Sequence, residues 1–326
     1  MEQSLEREEF TLVARKPNFG LPTACPICLP IYIYLKFARF PFHLDFNSSY
    51  PDSDQIPYIE SGTYVTYNNE NGGVIQRLKE DGIVDLDADF QSLPEWISMD
   101  AMVSSWLADA IMYELWLGSD GSSARKIYYS DLPWLIGKVL FMKQVRDVKQ
   151  RLGITKENVE RREEQIYRRA KTVFGALSTW IGDQKFIFDR PTSLDAVLVG
   201  HLLLILDALP DSSAIRSTLL EYSNLIKYAE KLKEEYLDTA SSSSSDAQFN
   251  SQFSSSTRRR NPTNSGSKPK RKPKREKTEE EKAFSRRAKY FLVTQLVAVL
   301  LFLSVMGGYD FSEAEVGDDD DAFTYD

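Results

Sequence analysis

The sequence predicts a mainly α protein with a small α/β part at its N-terminal end and a single transmembrane helix near its C-terminal end. Three patterns support this fold class: short β-type runs before residue 85, apolar residues at helical spacing from residue 90 onward, and an uncharged apolar stretch at 290–309. The chain has 326 residues, of which 42% are hydrophobic and 27% charged. This composition is ordinary for a globular protein, and the length suits one large domain or two smaller ones.

The first 85 residues alternate short strands with helices. Runs of β-type residues predict the strands, and an apolar helical face and the Gly72-Gly73 pair predict the two helices. The element order is β-α-β followed by β-β-α, which is that of a thioredoxin-like domain, and we assign this domain to residues 8–85. The strands are expected at 10–14, at 42–46 and as a pair that ends near residue 67, and the helices at 26–38 and 74–81.

From residue 90 the pattern changes to long helices, and we assign an all-helical domain to residues 90–238. Apolar residues at three and four spacing predict a first long helix at 93–117. Ser130 is expected to cap a helix that ends at Arg151, with Pro133 in its first turn, and Thr155 to cap another that ends near Ile181.

The end of this domain contains the strongest local motif. Thr192 and Asp195 have the spacing of a capping box, in which the two side chains bond reciprocally to first-turn amides. The run that follows, 197–206, is apolar nearly all round and predicts a central buried helix. A final amphipathic helix is expected at 219–237. A thioredoxin-like domain followed by an all-helical domain is the layout of glutathione transferases.

The uncharged stretch 290–309 predicts a C-terminal membrane anchor. About 20 helical residues span about 30 Å of bilayer hydrocarbon. Arg286, Arg287 and Lys289 at its N-terminal edge place the preceding domains in the cytosol by the positive-inside rule. A buried core helix is the alternative interpretation. The side chains expected to contact lipid are Tyr290, Phe291, Leu292, Leu296, Val297, Leu300, Leu301, Phe302, Leu303 and Val305.

The segments around the anchor have strongly biased composition. Residues 239–285 are rich in Ser, Pro and Lys and predict a disordered linker. Its basic run, 268–277, has three interpretations: a spacer on anionic lipid headgroups, a contact with an acidic partner, or a nuclear localisation or nucleic-acid patch. Residues 310–326 form an acidic tail with eight acidic groups and no basic one.

The beginning of the chain and its cysteines favour a cytosolic origin. The N-terminal residues are acidic and lack both the apolar core of a secretory signal and the Arg-rich character of a mitochondrial presequence. The only two cysteines are Cys25 and Cys28, which do not make a disulfide scaffold. We therefore expect synthesis in the cytosol, a reducing compartment and insertion of the anchor after translation.

The sequence resembles the metaxins of the mitochondrial outer membrane over about residues 10–237. The segment PTSLDAVLVGHL at 191–202 is similar to the metaxin segment at the same place, and Leu29, Tyr34, Ile56-Pro57 and GGVIQRL at 72–78 also agree. The long linker and the acidic tail depart from the pattern. The resemblance implies a cytosol-facing, non-enzymatic component of the machinery that imports proteins and sorts and assembles β-barrels. It also implies a hetero-oligomeric complex with β-barrel assembly subunits and precursor proteins. The adjacent membrane span argues against a nucleic-acid partner, because it holds the basic run at a bilayer. A weaker alternative is an adaptor for cytosolic partners.

An enzyme is the main alternative. Cys25-Pro-Ile-Cys28 lies at a predicted helix start, where glutaredoxin-like enzymes carry out thiol chemistry, and Pro57 is expected to supply the cis-proline that faces the thiols in those folds. Against it, no Lys or Arg follows Cys28 closely, and Glu70-Asn71 stands where a glutathione transferase has Glu-Ser. The competing interpretation is that both cysteines are small packed residues.

Other chemistry-bearing residues favour a structural role. No His or Cys completes a zinc site with the pair, and we expect neither a metal nor a cofactor. His201 is expected to be a hydrogen-bonded core residue and His43 an exposed one. The tryptophans are expected to lie in the core: Trp96, Trp106, Trp116, Trp134 and Trp180.

Overall fold

The computed structural model describes residues 9–47, 54–70, 72–238 and 294–295. The predicted linker at 239–285 and the acidic tail at 310–326 lie outside the described residues. So does the predicted anchor at 290–309, apart from Thr294 and Gln295, which are helical. None of the described helices combines the length and the apolar character that crossing a membrane requires.

The N-terminal domain is built on a four-stranded sheet in the order β2-β1-β3-β4. β1 is parallel to β2, in the register Leu12 to Leu44, and antiparallel to β3, in the register Leu12 to Ile59. The inner strand β1 has a neighbour on both sides, and its Leu12 and Ala14 are fully buried, whereas the edge strand β2 is largely exposed. The strands are β1 (Thr11–Ala14), β2 (His43–Phe46), β3 (Tyr58–Ser61) and β4 (Tyr64–Tyr67).

Two helices complete this domain. α1 (Cys28–Phe37) connects the parallel strands β1 and β2, a connection that requires a crossover. Nine of its ten residues are buried, which explains why its sequence is apolar all round. α2 (Gly73–Glu80) is amphipathic and buries Val74 and Leu78. The glutathione-transferase-like arrangement of a thioredoxin-like sheet domain followed by a helical domain is confirmed.

The first long helix of the helical domain is interrupted by π-helical turns. A single helix at 93–117 was expected, and the chain is indeed helical almost throughout this range. Pro94 occupies the first turn, where its missing N–H costs nothing. The register changes twice, which apolar spacing alone does not predict. The successive parts are α3 (Pro94–Ala101), the π turn Met102–Leu107, α4 (Ala108–Tyr113) and the π turn Glu114–Gly118.

Two predicted helix caps are wrong. A short helix, α5 (Ser122–Tyr128), was not predicted, and Ser130 lies in the turn behind it. The next helix, α6 (Trp134–Arg151), has the extended residue Pro133 at its N-cap instead of Ser130. The N-cap of α7 (Val159–Ile181) is Asn158, and no side chain caps this helix. The Asn158 side chain accepts a hydrogen bond from the Thr155 amide at 2.8 Å, so Thr155 belongs to the preceding turn.

The capping box stands at the start of α8 (Ser193–Leu203). The Thr192 hydroxyl accepts from the Asp195 amide at 3.3 Å, and the Asp195 carboxylate accepts from the Thr192 amide at 2.9 Å. The same carboxylate accepts from the Ile187 amide and from the Tyr228 hydroxyl. Ten of the eleven residues of α8 are buried, so this is the central helix that the apolar run predicts.

The last predicted helix, at 219–237, starts later than expected. Leu219 ends the short helix α9 (Ala214–Leu219), and Ser223 opens α10 (Ser223–Lys233). A π turn, Glu234–Asp238, continues α10. α10 packs against α7 and α8 through a buried stripe that consists of Leu225, Tyr228, Ala229 and Leu232.

The two domains meet where α1 packs against α8. A Cβ atom on Gly200 would lie 2.9 Å from Pro30 Cγ and 3.1 Å from Pro30 N, so the two helices touch through the bare glycine backbone. Residues that precede the helical domain also contact the start of α8. The Ser193 amide donates to the buried Asp87 carboxylate at 2.8 Å, and Lys79 of α2 pairs with the same carboxylate.

Replacing Asp195 with Ala is expected to lower the free energy of unfolding by about 3 kcal/mol. The substitution removes the cap and leaves the buried Ile187 amide and Tyr228 hydroxyl without their acceptor. Urea denaturation measures the change. Asp211→Ala is the matched control, because Asp211 is an exposed carboxylate that pairs with Arg216, and its loss should cost less than about 0.5 kcal/mol. Equal effects of the two substitutions would contradict the role of the Asp195 network.

Candidate functional site

A cavity of about 350 Å³ lies where the sheet domain meets the helical domain. Its size is within the range of small-molecule sites. One wall comes from the end of β1, the start of α1 and the residue before Pro57. The opposite wall is mostly apolar and comes from the helical domain. The residues that line it include Arg15, Cys25, Ile56, Ile111, Met112, Leu115, Trp116, Tyr128, Gln144, Arg151 and His201.

Both cysteines lie at the start of α1, as thioredoxin-like topology requires. Cys28 is the first residue of α1, and the Cys25 carbonyl accepts from the Leu29 amide at 3.0 Å. The two thiols are free and buried, with exposed fractions of 1% and 0%. The Ile56-Pro57 peptide bond is cis, Pro57 is buried, and Ile56 lines the cavity beside Cys25.

A cation does contact Cys25, but it precedes the cysteines in the sequence instead of following them. Arg15 directly follows β1, is 7% exposed and hydrogen bonds to Cys25. Its guanidinium carbon lies 4.5 Å from the centroid of the Tyr128 ring, and the Tyr128 hydroxyl lies 3.7 Å from Cys25 Sγ. The sequence argument searched only the positions just after Cys28 and therefore missed Arg15. The cluster combines residues from β1, α1 and α5.

The electrostatics of this cluster separate the two thiols. Burial raises the pKa of Cys25, but the hydrogen bond from Cys28 and the positive charge of Arg15 outweigh burial and hold that pKa well below its ordinary value. Burial, together with the hydrogen bond and charge of Cys25, raises the pKa of Cys28. Burial and the Cys25 charge also raise the pKa of Tyr128. Of the two thiols, Cys25 is therefore the one whose surroundings favour the thiolate, and the Tyr128 hydroxyl lies where it can donate to that sulfur.

His201, from the buried helix α8, also lines the cavity. It lies in α8, is 5% exposed, and burial lowers its pKa to about 4, so the ring is neutral at physiological pH. The prediction that it is a core residue agrees with this burial. The hydrogen bond expected for it is missing at one nitrogen, since Nδ1 has no partner within the described part of the chain. His43 lies far from the cavity on exposed β2, with Nε2 3.1 Å from a Glu9 oxygen.

Glu70 is the described member of the Glu70-Asn71 pair that stands nearest to the Glu-Ser position of glutathione transferases. Glu70 accepts a hydrogen bond from the Thr66 hydroxyl at 3.3 Å and lies 3.9 Å from Arg77 Nε. Asn71, which replaces the expected serine, lies outside the described residues. No group of three or more His, Cys, Asp or Glu side chains that could hold a metal ion occurs in ranges 9–47, 54–70 and 72–238.

The tryptophans do not all lie in the core. Trp116 is buried against Tyr128, with ring centroids 5.1 Å apart, and Trp96 and Trp106 are partly buried. The core prediction is wrong for Trp134 and Trp180, which are 72% and 43% exposed. Both residues lie in helices with apolar residues at helical spacing, but their own side chains point away from the core.

Comparison with known protein families matches both domains. The model for the glutathione S-transferase N-terminal domain matches residues 26–121, and that for the glutathione S-transferase C-terminal domain matches residues 170–232. A protein of Arabidopsis thaliana, described as a mitochondrial outer membrane import complex protein, metaxin, is 58% identical over 324 residues, which cover 98% of this chain and 100% of that protein. This chain belongs to the metaxin family.

More distant metaxins and a solved structure extend the comparison. Human metaxin-2 is 25% identical over 251 residues, which cover 72% of this chain and 88% of that protein. The crystal structure of a glutathione transferase from Phanerochaete chrysosporium is similar with a TM-score of 0.47 and 11% identity, over 70% of this chain and 98% of that one. The resemblance to metaxins that the sequence motifs indicate is confirmed.

The buried His201 gives this metaxin a testable pH dependence. An unfolded His201 takes up a proton near pH 6.5, whereas the buried ring does so only at about 4. The unfolded state therefore binds more protons in this window, and the stability that the neutral ring contributes is lost as the pH falls through it. We expect His201→Leu to remove about 3 kcal/mol of the loss in unfolding free energy between pH 6.5 and 4.

Denaturant titrations at a series of pH values measure this difference. His201→Gln is the second variant, because it also removes the titrating ring but keeps a polar side chain, so both substitutions should flatten the pH dependence. If His201→Leu retained the full wild-type slope, burial of a neutral His201 would be wrong.

Proposed function

We propose that this metaxin-family chain is a non-enzymatic component of the machinery that imports proteins into the mitochondrial outer membrane and sorts and assembles β-barrels there. The observation that carries the proposal is the 58% identity, over nearly the full chain, to the Arabidopsis protein described as part of an outer-membrane import complex. Its partners are then outer-membrane β-barrel assembly subunits and precursor proteins, in a hetero-oligomeric complex.

The candidate site is consistent with a binding role for this fold. Both thiols are buried, and the Glu70 carboxylate already engages Thr66 and approaches Arg77, so a glutathione-like ligand would have to displace existing contacts. The cavity itself is lined mainly by apolar and aromatic side chains of the helical domain. The large helical surface, rather than the cavity, is the part of the molecule suited to contacts with other proteins.

We also propose that the chain is tail-anchored, with residues 290–309 in the outer membrane and the two domains in the cytosol. The support is the uncharged sequence of this stretch and the basic residues at its N-terminal edge. The acidic tail at 310–326 would then lie on the opposite side of the membrane.

Deletion of residues 286–326 is expected to release the protein into the cytosol and to abolish its support of β-barrel assembly. Deletion of the acidic tail alone, 310–326, is the control and should leave the protein resistant to alkaline carbonate extraction. Fractionation and a β-barrel assembly assay in mitochondria depleted of the protein measure the two properties. Normal assembly in depleted mitochondria would contradict the import role, and carbonate release of the full chain would contradict the anchor.

A second candidate function is thiol-disulfide exchange, and the Arg15–Cys25 contact favours it. The Cys25 thiolate would attack a disulfide and displace one thiolate from it. Cys28 would then lose its proton and attack the mixed disulfide, which releases the second thiol and leaves a Cys25–Cys28 disulfide. Two molecules of glutathione would reduce that disulfide and become glutathione disulfide. The apolar cavity beside Cys25 would admit the disulfide.

On this second candidate, the full chain reduces a small disulfide with glutathione, and Cys25→Ser abolishes the reaction. Arg15→Met should slow it at least about tenfold, because the thiolate loses its neighbouring cation. Lys16→Met is the matched control, since Lys16 is exposed, pairs with Asp131 and should leave the rate unchanged. Absence of glutathione-dependent reduction by the wild-type chain would leave the non-enzymatic function as the better account.

A further inference from the structure

The first half of α6 exposes an unusual concentration of large apolar side chains. Of the thirteen such side chains that are exposed in the described residues, five fall between positions 134 and 142. Trp134, Leu135 and Met142 are exposed by 72%, 65% and 63%. Single exposed apolar residues are normal in soluble proteins, but clusters mark sites of interaction. The five are Trp134, Leu135, Ile136, Val139 and Met142.

These side chains are not needed by the core, because α6 already packs through its other face. The Phe141 ring centroid lies 5.7 Å from that of Trp116, and a Cβ on Gly137 would lie 3.4 Å from Tyr129 Cβ. Val148, on the same face, is buried. Helical geometry places Leu135, Val139 and Met142 along the opposite side, at spacings of four and three. We call this side the α6 outer face.

Basic residues surround the α6 outer face. Residues 134–151 contain five Lys or Arg and a single acidic residue, Asp147, although the chain as a whole has a net charge of −8. Lys138, Lys143, Arg146 and Lys149 are all exposed. The helix therefore carries the opposite sign to the rest of the protein, which favours an anionic partner.

An open pocket beside the α6 outer face also combines basic and apolar side chains. It measures about 780 Å³ and combines the cations Arg125, Lys126 and Lys138 with the aromatic rings of Trp134 and Phe141. The Lys138 ammonium lies 5.5 Å from the Trp134 ring centroid, so cation and ring form one surface. Such a surface offers cations to phosphate groups and an apolar ring to the acyl chains just below them.

We propose that the α6 outer face docks on an anionic lipid surface. Helices that lie in the membrane interface have a ridge of large apolar residues with Lys and Arg beside it, and a tryptophan near one end is typical of that depth. Anionic headgroups attract each such Lys or Arg. We favour lipid over a protein partner because the charged residues beside the apolar ridge are almost all basic, which matches the uniform negative charge of an anionic bilayer. A protein partner would be recognised by charges of both signs, and α6 has a single acidic residue, Asp147. The proposal rests on neither the predicted anchor nor the import role.

A photo-crosslinking experiment with the full chain tests the proposal. A benzophenone amino acid replaces Val139, and in a second protein it replaces Leu220, an apolar residue of similar exposure next to acidic Glu221. Both proteins are reconstituted into vesicles of phosphatidylcholine alone or with phosphatidylserine added. Any anchor is common to both proteins, so it cannot produce a difference between them. We expect more lipid adduct at position 139 than at 220, and only in vesicles that contain phosphatidylserine.

A charge reversal adds a second arm. Lys138→Glu with Lys143→Glu should lower the lipid adduct at position 139 at least about tenfold, while thermal unfolding stays unchanged because both side chains are exposed. Equal lipid labelling at positions 139 and 220 would overturn the proposal. So would adducts at 139 in intact mitochondria that contain protein and no lipid, which would show that another protein covers this face.

Discussion

The close contact of α1 with α8 is the constraint on which the rest of the described structure depends. Gly200 lets Pro30 approach within about 3 Å of the position that a Cβ would occupy, so any larger residue would force the helices apart. The contact joins the sheet domain to the helical domain. It also determines where the cavity lies, because Cys25 precedes α1 and His201 follows Gly200. At the start of the same helix, the contacts of Asp87 with Ser193 and Lys79 join the two domains a second time.

Local chemistry was enough to predict much of this arrangement from the sequence. The strands around Leu12 and Ile59 and the helix that contains Pro30 follow from residue type and spacing. Thr192 and Asp195 have the capping-box spacing, and the structure places them in reciprocal hydrogen bonds. The cap predictions at Ser130 and Thr155 failed for a physical reason. A hydroxyl residue before an apolar run also suits a turn, and here Pro133 and Asn158 fix the helix starts instead.

What the sequence could not supply are contacts between residues that are distant along the chain. Arg15 follows β1, and Tyr128 ends α5, yet both contact Cys25. No short motif links them, because their meeting depends on how α5 packs against the sheet domain. Within the ranges that the structure describes, His201 Nδ1 has no hydrogen-bond partner, and the sequence could not predict this either. Periodicity shows that a residue is buried, but whether its polar atoms are bonded depends on neighbours from other elements.

The contact between Arg15 and Cys25 bears on the stability of the fold as well as on its chemistry. Arg15 is almost fully buried, and a buried cation without a counter-charge would be strongly destabilising. The surroundings of Cys25 favour its ionised form, which would balance the Arg15 charge, and the Tyr128 ring and hydroxyl lie beside these two groups. Perturbed pKa values occur at catalytic sites, but interior ion pairs produce them as well. The same geometry therefore serves either a redox centre or a retained interior ion pair, and access to Cys25 separates the two.

Docking of the α6 outer face on lipid would also orient the protein at the membrane. A domain tethered to a membrane by one flexible point can rotate freely, and its binding surface then faces partners only part of the time. A second contact through α6 would restrict that rotation. With the proposed anchor, tethering would raise the effective concentration of lipid at α6, so that a contact too weak to recruit a free protein would suffice to orient the anchored one. The modest size of this apolar patch is in keeping with such a role, since a larger patch would make the free protein prone to aggregation.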